Sequence, residues 1–179
     1  MEPLQVAEFL REEFADAVLE HGEFRGQVSL YVERDRIVDI CRYLHDEPSM
    51  AFKYLRDVTA VDWLEKKSPR FEVVYHLYSM KYKEMIRLKC RVEENDCSID
   101  SLTSIWKGAN WPERECFDLF GITFKGHPDH RRILMPDDWD GHPLRKDYPV
   151  KGPGPEYEWE GFKEVLAKAE RLKEFEWER

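Results

Sequence analysis

Three of the six histidines, His127, His130 and His142, stand close to Asp129, Asp137, Asp138 and Asp140. These side-chain types hold a catalytic zinc or activate water, so a metallohydrolase is the first chemistry to weigh. The spacing argues against it. In the run Gly126-His127-Pro128-Asp129-His130, Pro128 prevents the regular helix that would set both imidazoles on one face, and no H-E-x-x-H frame occurs. Hydrogen-bonding structural histidines are expected, with a stand-alone metallohydrolase as the remote alternative. Nucleophilic catalysis finds less support: there is no G-x-S-x-G elbow, and the acidic neighbours Glu113, Glu115 and Asp118 would raise the thiol pKa of Cys116. Both glycine-rich phosphate signatures, G-x-G-x-x-G and G-x-x-x-x-G-K-[ST], are absent, and Gly152-Pro153-Gly154-Pro155 reads as a rigid bend. The four cysteines, Cys41, Cys90, Cys97 and Cys116, make no C-x-x-C pair and are too scattered for an iron–sulfur cluster. They are read as reduced thiols, a Cys90–Cys97 bridge being disfavoured. The expectation is a chain with no catalytic residue and no bound metal or cofactor.

The stretch that carries these histidines is unusual. Residues Gly121–Pro155 hold six Pro and five Gly, yet also Ile122, Phe124, Ile133, Leu134, Met135, Trp139, Leu144, Tyr148 and Val150. That is too apolar for a linker and too broken for a helix or strand, and long segments of this kind inside compact proteins tend to be functional. An extended arm is expected, its apolar side chains buried on another chain and disordered or self-associating without it. Arg131, Arg132, Arg145 and Lys146 alternate with Asp137, Asp138, Asp140 and Asp147. Such alternation fixes register against a complementary partner or holds the arm on its own domain, and both readings stand.

The elements before the arm must position it. Leu4, Ala7, Leu10, Phe14 and Ala17/Val18 recur at helical spacing after Pro3, predicting a first helix that runs to His21-Gly22. Val28, Leu30 and Val32 alternate as in a strand, and Asp35 is placed to cap a helix with Ile37, Val38, Cys41 and Leu44 on one face, ended at Pro48. Further strands are expected at Asp57–Trp63, Phe71–Ser79, Glu84–Glu93 and, short, at Ser101–Ile105. A helix entered through Pro112 spans Pro112–Phe120, with Gly121 as terminator. The fold class is α+β: a two-layer domain with a mixed or antiparallel sheet over residues 1–120, an extended partner-binding arm over 121–155, and a C-terminal helix over 156–179 whose stripe is Phe162, Leu166, Ala169 and Leu172.

Composition narrows the partners. The 179 residues are 42% hydrophobic and 36% charged, which suits a folded core rather than a disordered chain. Net charge of −9 disfavours nucleic acid and anionic lipid as partners. No apolar run reaches the roughly 20 residues of a spanning helix, and Met1–Phe14 is acidic rather than a signal, so contact with a membrane is expected only through a partner. The basic residues Arg87, Lys89 and Arg91 of the fourth strand lack interleaved aromatics and read as a solvated or interface face, not an RNA platform.

Three consecutive runs, E-R-E-C-F-D-L-F-G-I-T-F-K-G-H-P, R-R-I-L-M-P-D-D-W and G-H-P-L-R-K-D-Y-P, between Glu113 and Pro149, closely resemble the motif of the 30 kDa subunit of respiratory complex I, known in bacteria as the C subunit of NADH-quinone oxidoreductase. Glu113, Arg114, Glu115, Asp118, Phe120, Gly121, Gly126, His127 and Pro128 match its first half. Arg132, Ile133, Leu134, Asp138, Trp139, Gly141, Pro143, Leu144, Arg145, Lys146, Asp147 and Tyr148 match the second. One position departs: His130 stands where the family pattern has an apolar residue, usually Leu.

The resemblance implies a non-catalytic subunit of the peripheral arm, at the cytoplasmic side of the bacterial inner membrane, with the motif residues at subunit interfaces. It implies packing against the quinone-site 49 kDa-type subunit and the subunit with the terminal iron–sulfur cluster. FMN, iron–sulfur clusters, NADH and quinone are then expected on partner subunits. The neighbouring alternative is the equivalent subunit of a membrane-bound nickel–iron hydrogenase or formate hydrogenlyase.

Overall fold

The structure, a computed structural model, describes residues 2–150 and 160–173. Helix α1 (Pro3–Glu13) starts with Pro at its first position, buries Val6, Ala7 and Leu10, and stops well before the expected end at His21-Gly22. Val18–Phe24 is instead strand β1, hairpinned onto β2 (Gln27–Val32). The overriding signal is the turn. Arg25 and Gly26 both take positive φ, 53° and 74°, the backbone of a two-residue turn whose twist matches a hairpin. Ala17 and Val18 are buried, but as the entry to a strand rather than on a helix face.

A 3-10 turn at Arg34–Arg36 then leads into α2 (Ile37–Asp46), which buries Ile37, Ile40, Cys41 and Leu44 at helical spacing. Asp35 lies inside that turn and does not cap the helix, because Arg36 occupies the cap position. Strands β3 (Tyr54–Asp62), β4 (Phe71–Ser79) and β5 (Glu84–Val92) form where strands are expected, β3 starting three residues earlier and β4 buried on both faces over its first five residues. The main sheet has the order β1-β2-β5-β4-β3, antiparallel except for the parallel β2–β5 pair. It is therefore mixed. Its inner face presents Leu30, Leu88, Tyr75 and Val58 in register across four strands, all buried among residues of the helices.

On the outer face the basic row of β5 is bonded within the chain, Lys89 and Arg91 to carboxylates. Arg87 bonds His76 and Gln27, Lys89 pairs with Glu72 at 3.0 Å, and Arg91 pairs with Glu20. The expected strand at Ser101–Ile105 is not formed. The strand is β6 (Ser98–Asp100), three residues earlier, parallel to β7 (Thr123–Lys125). Residues 101–103 bend away because their polar groups turn toward a buried carboxylate. Helix α3 (Asn110–Phe120) ends as expected at Gly121, left-handed at φ 74°.

Ile122 and Phe124, which open the arm, are buried in the chain's own core rather than left for another chain. Helix α4 (Glu160–Lys173) is the C-terminal helix. The ends of that expected helix, 156–159 and 174–179, and the side chains of its apolar stripe lie outside the described residues.

Candidate functional site

Residues 126–148 form a strap of turns bound to α3 and to the end of the main sheet, and nearly all its polar contacts are internal. The first anchor is Asp118 on α3, whose side chain is fully buried. Its Oδ2 accepts the backbone N–H groups of Ile133 (3.0 Å), Leu134 (2.7 Å) and Met135 (2.8 Å), and its Oδ1 accepts Arg132 Nη1 at 2.8 Å. Burial alone would raise this carboxyl. The Met135 N–H, the Arg132 guanidinium and the Leu134 and Ile133 N–H groups outweigh it and hold Asp118 below the usual carboxylate range. Arg132 continues with Nη2 to the carbonyls of Trp139 and Gly141, closing the strap into a loop.

The second anchor is Arg70, just before β4. It forks onto Asp62 at 3.0 and 2.8 Å, onto Asp147 at 2.8 and 3.1 Å, and reaches Glu94 at 2.5 Å. Asp62 also accepts the Lys146 N–H at 2.8 Å. Burial raises Asp62, but the Arg70, Lys146 and Leu64 hydrogen bonds take it down to about 2. Asp147 is held below its ordinary range mainly by Arg70. Phe71 lies between two guanidinium groups, Arg70 at 4.8 Å and Arg145 at 5.1 Å from its ring centroid.

Arg145 Nε donates to the Phe120 carbonyl at 2.6 Å, where the helix ends. That closeness explains Gly121: a Cβ there would lie 2.5 Å from His142 Nε2 and 2.6 Å from Arg145 Nη2. Gly141 is confined in the same way, its notional Cβ 2.7 Å from Tyr148 Cε2. Arg114 fastens the strap's other side through the carbonyls of Arg131 and Arg132.

The His127 and His130 rings meet edge to face, 5.8 Å between centroids, but the three histidines do not converge on one point. His127 Nδ1 accepts the Asp129 N–H and its Nε2 faces the Asn110 carbonyl; His130 Nε2 accepts the Phe124 N–H at 3.0 Å; His142 Nδ1 faces the Asp118 carbonyl at 2.9 Å. Each ring thus bonds a backbone group, and among the described residues no three His, Cys, Asp or Glu side chains come together as a metal-holding group. Burial lowers His130, with His127 adding to it, and burial lowers His142. Cys116 is buried near Val58, and burial, more than the acidic neighbours expected to act on it, pushes its thiol up.

Glu113 is the third buried group of α3. It accepts Ser101 Oγ–H at 2.6 Å and the Leu102 N–H at 2.7 Å. Phe120 is buried, while Glu115, Pro128 and Asp138 are exposed and Pro143 half-buried. Tyr148 OH donates to the Asp140 carbonyl at 3.1 Å, and the Leu144 N–H to Leu119. The partners that the sequence does not reveal are Asp62, Arg70, Glu94, Ser101 and Thr103.

Among the outward residues are large apolar ones. Trp111 is 69% and Leu134 61% exposed, beside a groove of about 540 Å³ lined also by Pro112, Ile133, Lys107 and Glu115. Such a face, shared by the start of α3 and the strap, suits contact with another protein.

A match to the family described as respiratory-chain NADH dehydrogenase, 30 Kd subunit, runs over residues 30–154, which contains half of β2 and the rest of the sheet after it, α3 and the whole strap. The chain belongs to that family. The resemblance drawn from the Glu113–Pro149 motif is therefore borne out. The C subunit of NADH-quinone oxidoreductase from Geobacter sulfurreducens is 55% identical over 144 residues, 80% of this chain and 88% of that one. A solved trypsin-resistant fragment of Nqo5 is similar at 30% identity and TM-score 0.60, covering 72% of this chain and 99% of the fragment. A chain of the membrane-bound sulfane sulfur reductase, an archaeal respiratory membrane complex, shares the fold at 22% identity and TM-score 0.68, over 98% of this chain and 96% of that one. Family members are thus subunits of the respiratory-chain NADH dehydrogenase, and no helix among the described residues is long and apolar enough to cross a membrane.

Proposed function

We propose that this chain is a non-catalytic structural subunit of the peripheral arm of respiratory complex I, the proton-translocating NADH:quinone oxidoreductase. It docks the quinone-site 49 kDa-type subunit and the subunit that bears the terminal iron–sulfur cluster. Electrons then pass from NADH through FMN and the clusters to quinone, all held by partners, on the cytoplasmic side of the bacterial inner membrane. The observation that carries this reading is the strap. Its charged side chains Arg132, Arg145 and Asp147 are spent on its own domain, which fixes its shape and leaves Trp111 and Leu134 outward. A rigid presenting surface is what alignment of electron-transferring centres needs, since small displacements of such centres cost rate steeply. The 55% identity to a protein named as the C subunit of NADH-quinone oxidoreductase favours the quinone oxidoreductase over a hydrogenase-type complex.

The test is capture of the tagged full chain from gently solubilised native membranes, with mass spectrometry of what accompanies it. Flavin- and iron–sulfur-containing NADH-oxidising subunits are expected. A nickel–iron large subunit would move the chain to the hydrogenase branch, and a solitary chain would overturn docking altogether. Replacing Trp111 and Leu134 together by Ser is expected to lower the recovered partners at least tenfold while leaving the unfolding temperature of the chain nearly unchanged.

A further inference from the structure

Glu113 has no counterpart to the arginines that serve Asp118 and Asp62. Its side chain is fully buried in the first turn of α3, and among the described residues no Lys or Arg lies within ion-pair distance of it. Groups from several elements face it. From the 101–103 bend come the Ser101 hydroxyl, the Leu102 N–H and, through Ser101, the Thr103 hydroxyl. From the strap comes His127, Nε2 4.0 Å from Oε2 but turned to the Asn110 carbonyl at 3.0 Å. From β4 comes the Tyr75 hydroxyl, buried with no hydrogen-bond partner among the described residues, and from α2 and α3 come the thiols of Cys41 and Cys116, which feel the charge of Glu113. All are neutral donors or weak acids except His127.

The hydroxyl pair is built for two states. Ser101 Oγ lies 2.6 Å from Glu113 Oε2 and 2.8 Å from Thr103 Oγ1, and accepts the Thr103 N–H at 3.2 Å. With Glu113 ionised, Ser101 donates to the carboxylate and accepts from the Thr103 hydroxyl. With Glu113 protonated, the acid O–H donates to Ser101, and Ser101 donates to Thr103. The three side chains stay mutually bonded either way, because a hydroxyl has one donor and two acceptor sites. An ion pair with arginine permits no such reversal.

We propose that Glu113, Ser101 and Thr103 form a proton-binding site: the folded subunit holds one exchangeable proton on Glu113, bonded through Ser101 to Thr103, at the start of α3. Burial pushes this carboxyl up to about 7, against the smaller opposing effects of the Ser101 and Leu102 hydrogen bonds. A raised folded-state value means that the stabilisation is complete below the ordinary glutamate range and is lost as pH rises through about 7. Any effect on assembly rests on the docking role proposed above. Proton uptake does not, so the two readings fail separately.

The test is thermal unfolding of the full chain and its Glu113→Gln variant from pH 5 to 8.5, with infrared spectroscopy of the carboxylic C=O band. Gln keeps an acceptor for Leu102 and a donor for Ser101, mimicking the protonated acid. Glu113→Gln is expected to differ least from the parent at pH 5 and to melt about 5 °C higher at pH 8.5, the difference cancelling all other titrating groups. In the parent, a buried carboxylic band is expected to vanish with a midpoint near pH 7. Ser101→Ala removes a donor to the ionised form and is expected to move that midpoint up by about one pH unit. A band already absent at pH 6, or parallel melting curves for parent and Glu113→Gln, would overturn the proposal.

Discussion

Glu113 and Asp118 are carboxylates on the same helix, both with fully buried side chains, yet their environments push them in opposite directions. Asp118 sits in a ring of three backbone N–H groups with a guanidinium at its side, so its charge is the centre of the structure around it. Glu113 has one backbone N–H and one hydroxyl, too little to offset desolvation. Burial therefore does not decide whether an acid is charged; the count and charge of its donors does. One carboxylate organises a strap, and the other is free to exchange a proton.

The largest break in that comparison is expected at Asp118. Asp118→Asn turns a carboxamide NH₂ into a site surrounded by donors, so that either the three N–H groups or Arg132 must lose their acceptor. A cost of about 4 kcal/mol in urea unfolding at pH 7 is expected, with faster amide exchange at Ile133, Leu134 and Met135. The chemically equivalent change at Glu113 is expected to cost nothing at that pH, and equal costs at the two sites would erase the distinction. Arg70→Ala comes next. It strands Asp62, whose side chain is wholly buried, while Asp147, about half exposed, turns to water. About 3 kcal/mol is expected, with Asp147→Ala alone costing less than about 1 kcal/mol, since exposed ends of ion pairs contribute little. If the two changes cost the same, Arg70 serves the strap rather than Asp62.

What can be read from the sequence follows the range of the interactions. Phe71–Ser79 and Glu84–Val92 are legible because a sheet with one buried face writes its alternation into neighbouring residues. The end of α1 is not, because Ala17 and Val18 fit a helical stripe as well as a strand entry, and the deciding signal lies downstream in Arg25-Gly26. The strap's importance is legible as a motif; its mode of attachment is not. Asp118 is answered by backbone N–H groups, which carry no residue signature, and Asp147 by Arg70, which is 77 positions away. Mixed charge in the strap leaves partner and self attachment equally open, and the geometry shows the latter for Arg132, Arg145 and Asp147.

Gly121→Ala is expected to cost about 2 kcal/mol, part from the left-handed backbone and part from displacing His142 and Arg145. The check is thermal unfolding together with the exchange of the Leu144 amide, which donates to Leu119 at 3.0 Å and would open first. Unchanged Leu144 exchange in a destabilised variant would place the cost in the helix end alone.

The smallest effect tests the strap's histidine side of the balance. His130 accepts the Phe124 N–H through Nε2, a bond possible only for the neutral ring, and burial lowers its pKa below the ordinary histidine value of 6.5. The unfolded chain then binds more protons than the folded one as pH drops from 6.5, so this contribution is complete above 6.5 and is lost toward the lowered folded value. Glu113 acts with the opposite sign, so the two contributions oppose each other where their pH windows overlap below 6.5. His130→Leu, which restores the apolar residue of the family pattern, removes the titration but leaves the Phe124 N–H without its acceptor. It is expected to be about 1 kcal/mol less stable than the parent at pH 7.5 and nearly equal to it at about pH 5, measured by urea midpoints at both pH values. A gap that stays constant with pH would show that the Phe124 N–H, and not the protonation of His130, governs this end of the strap.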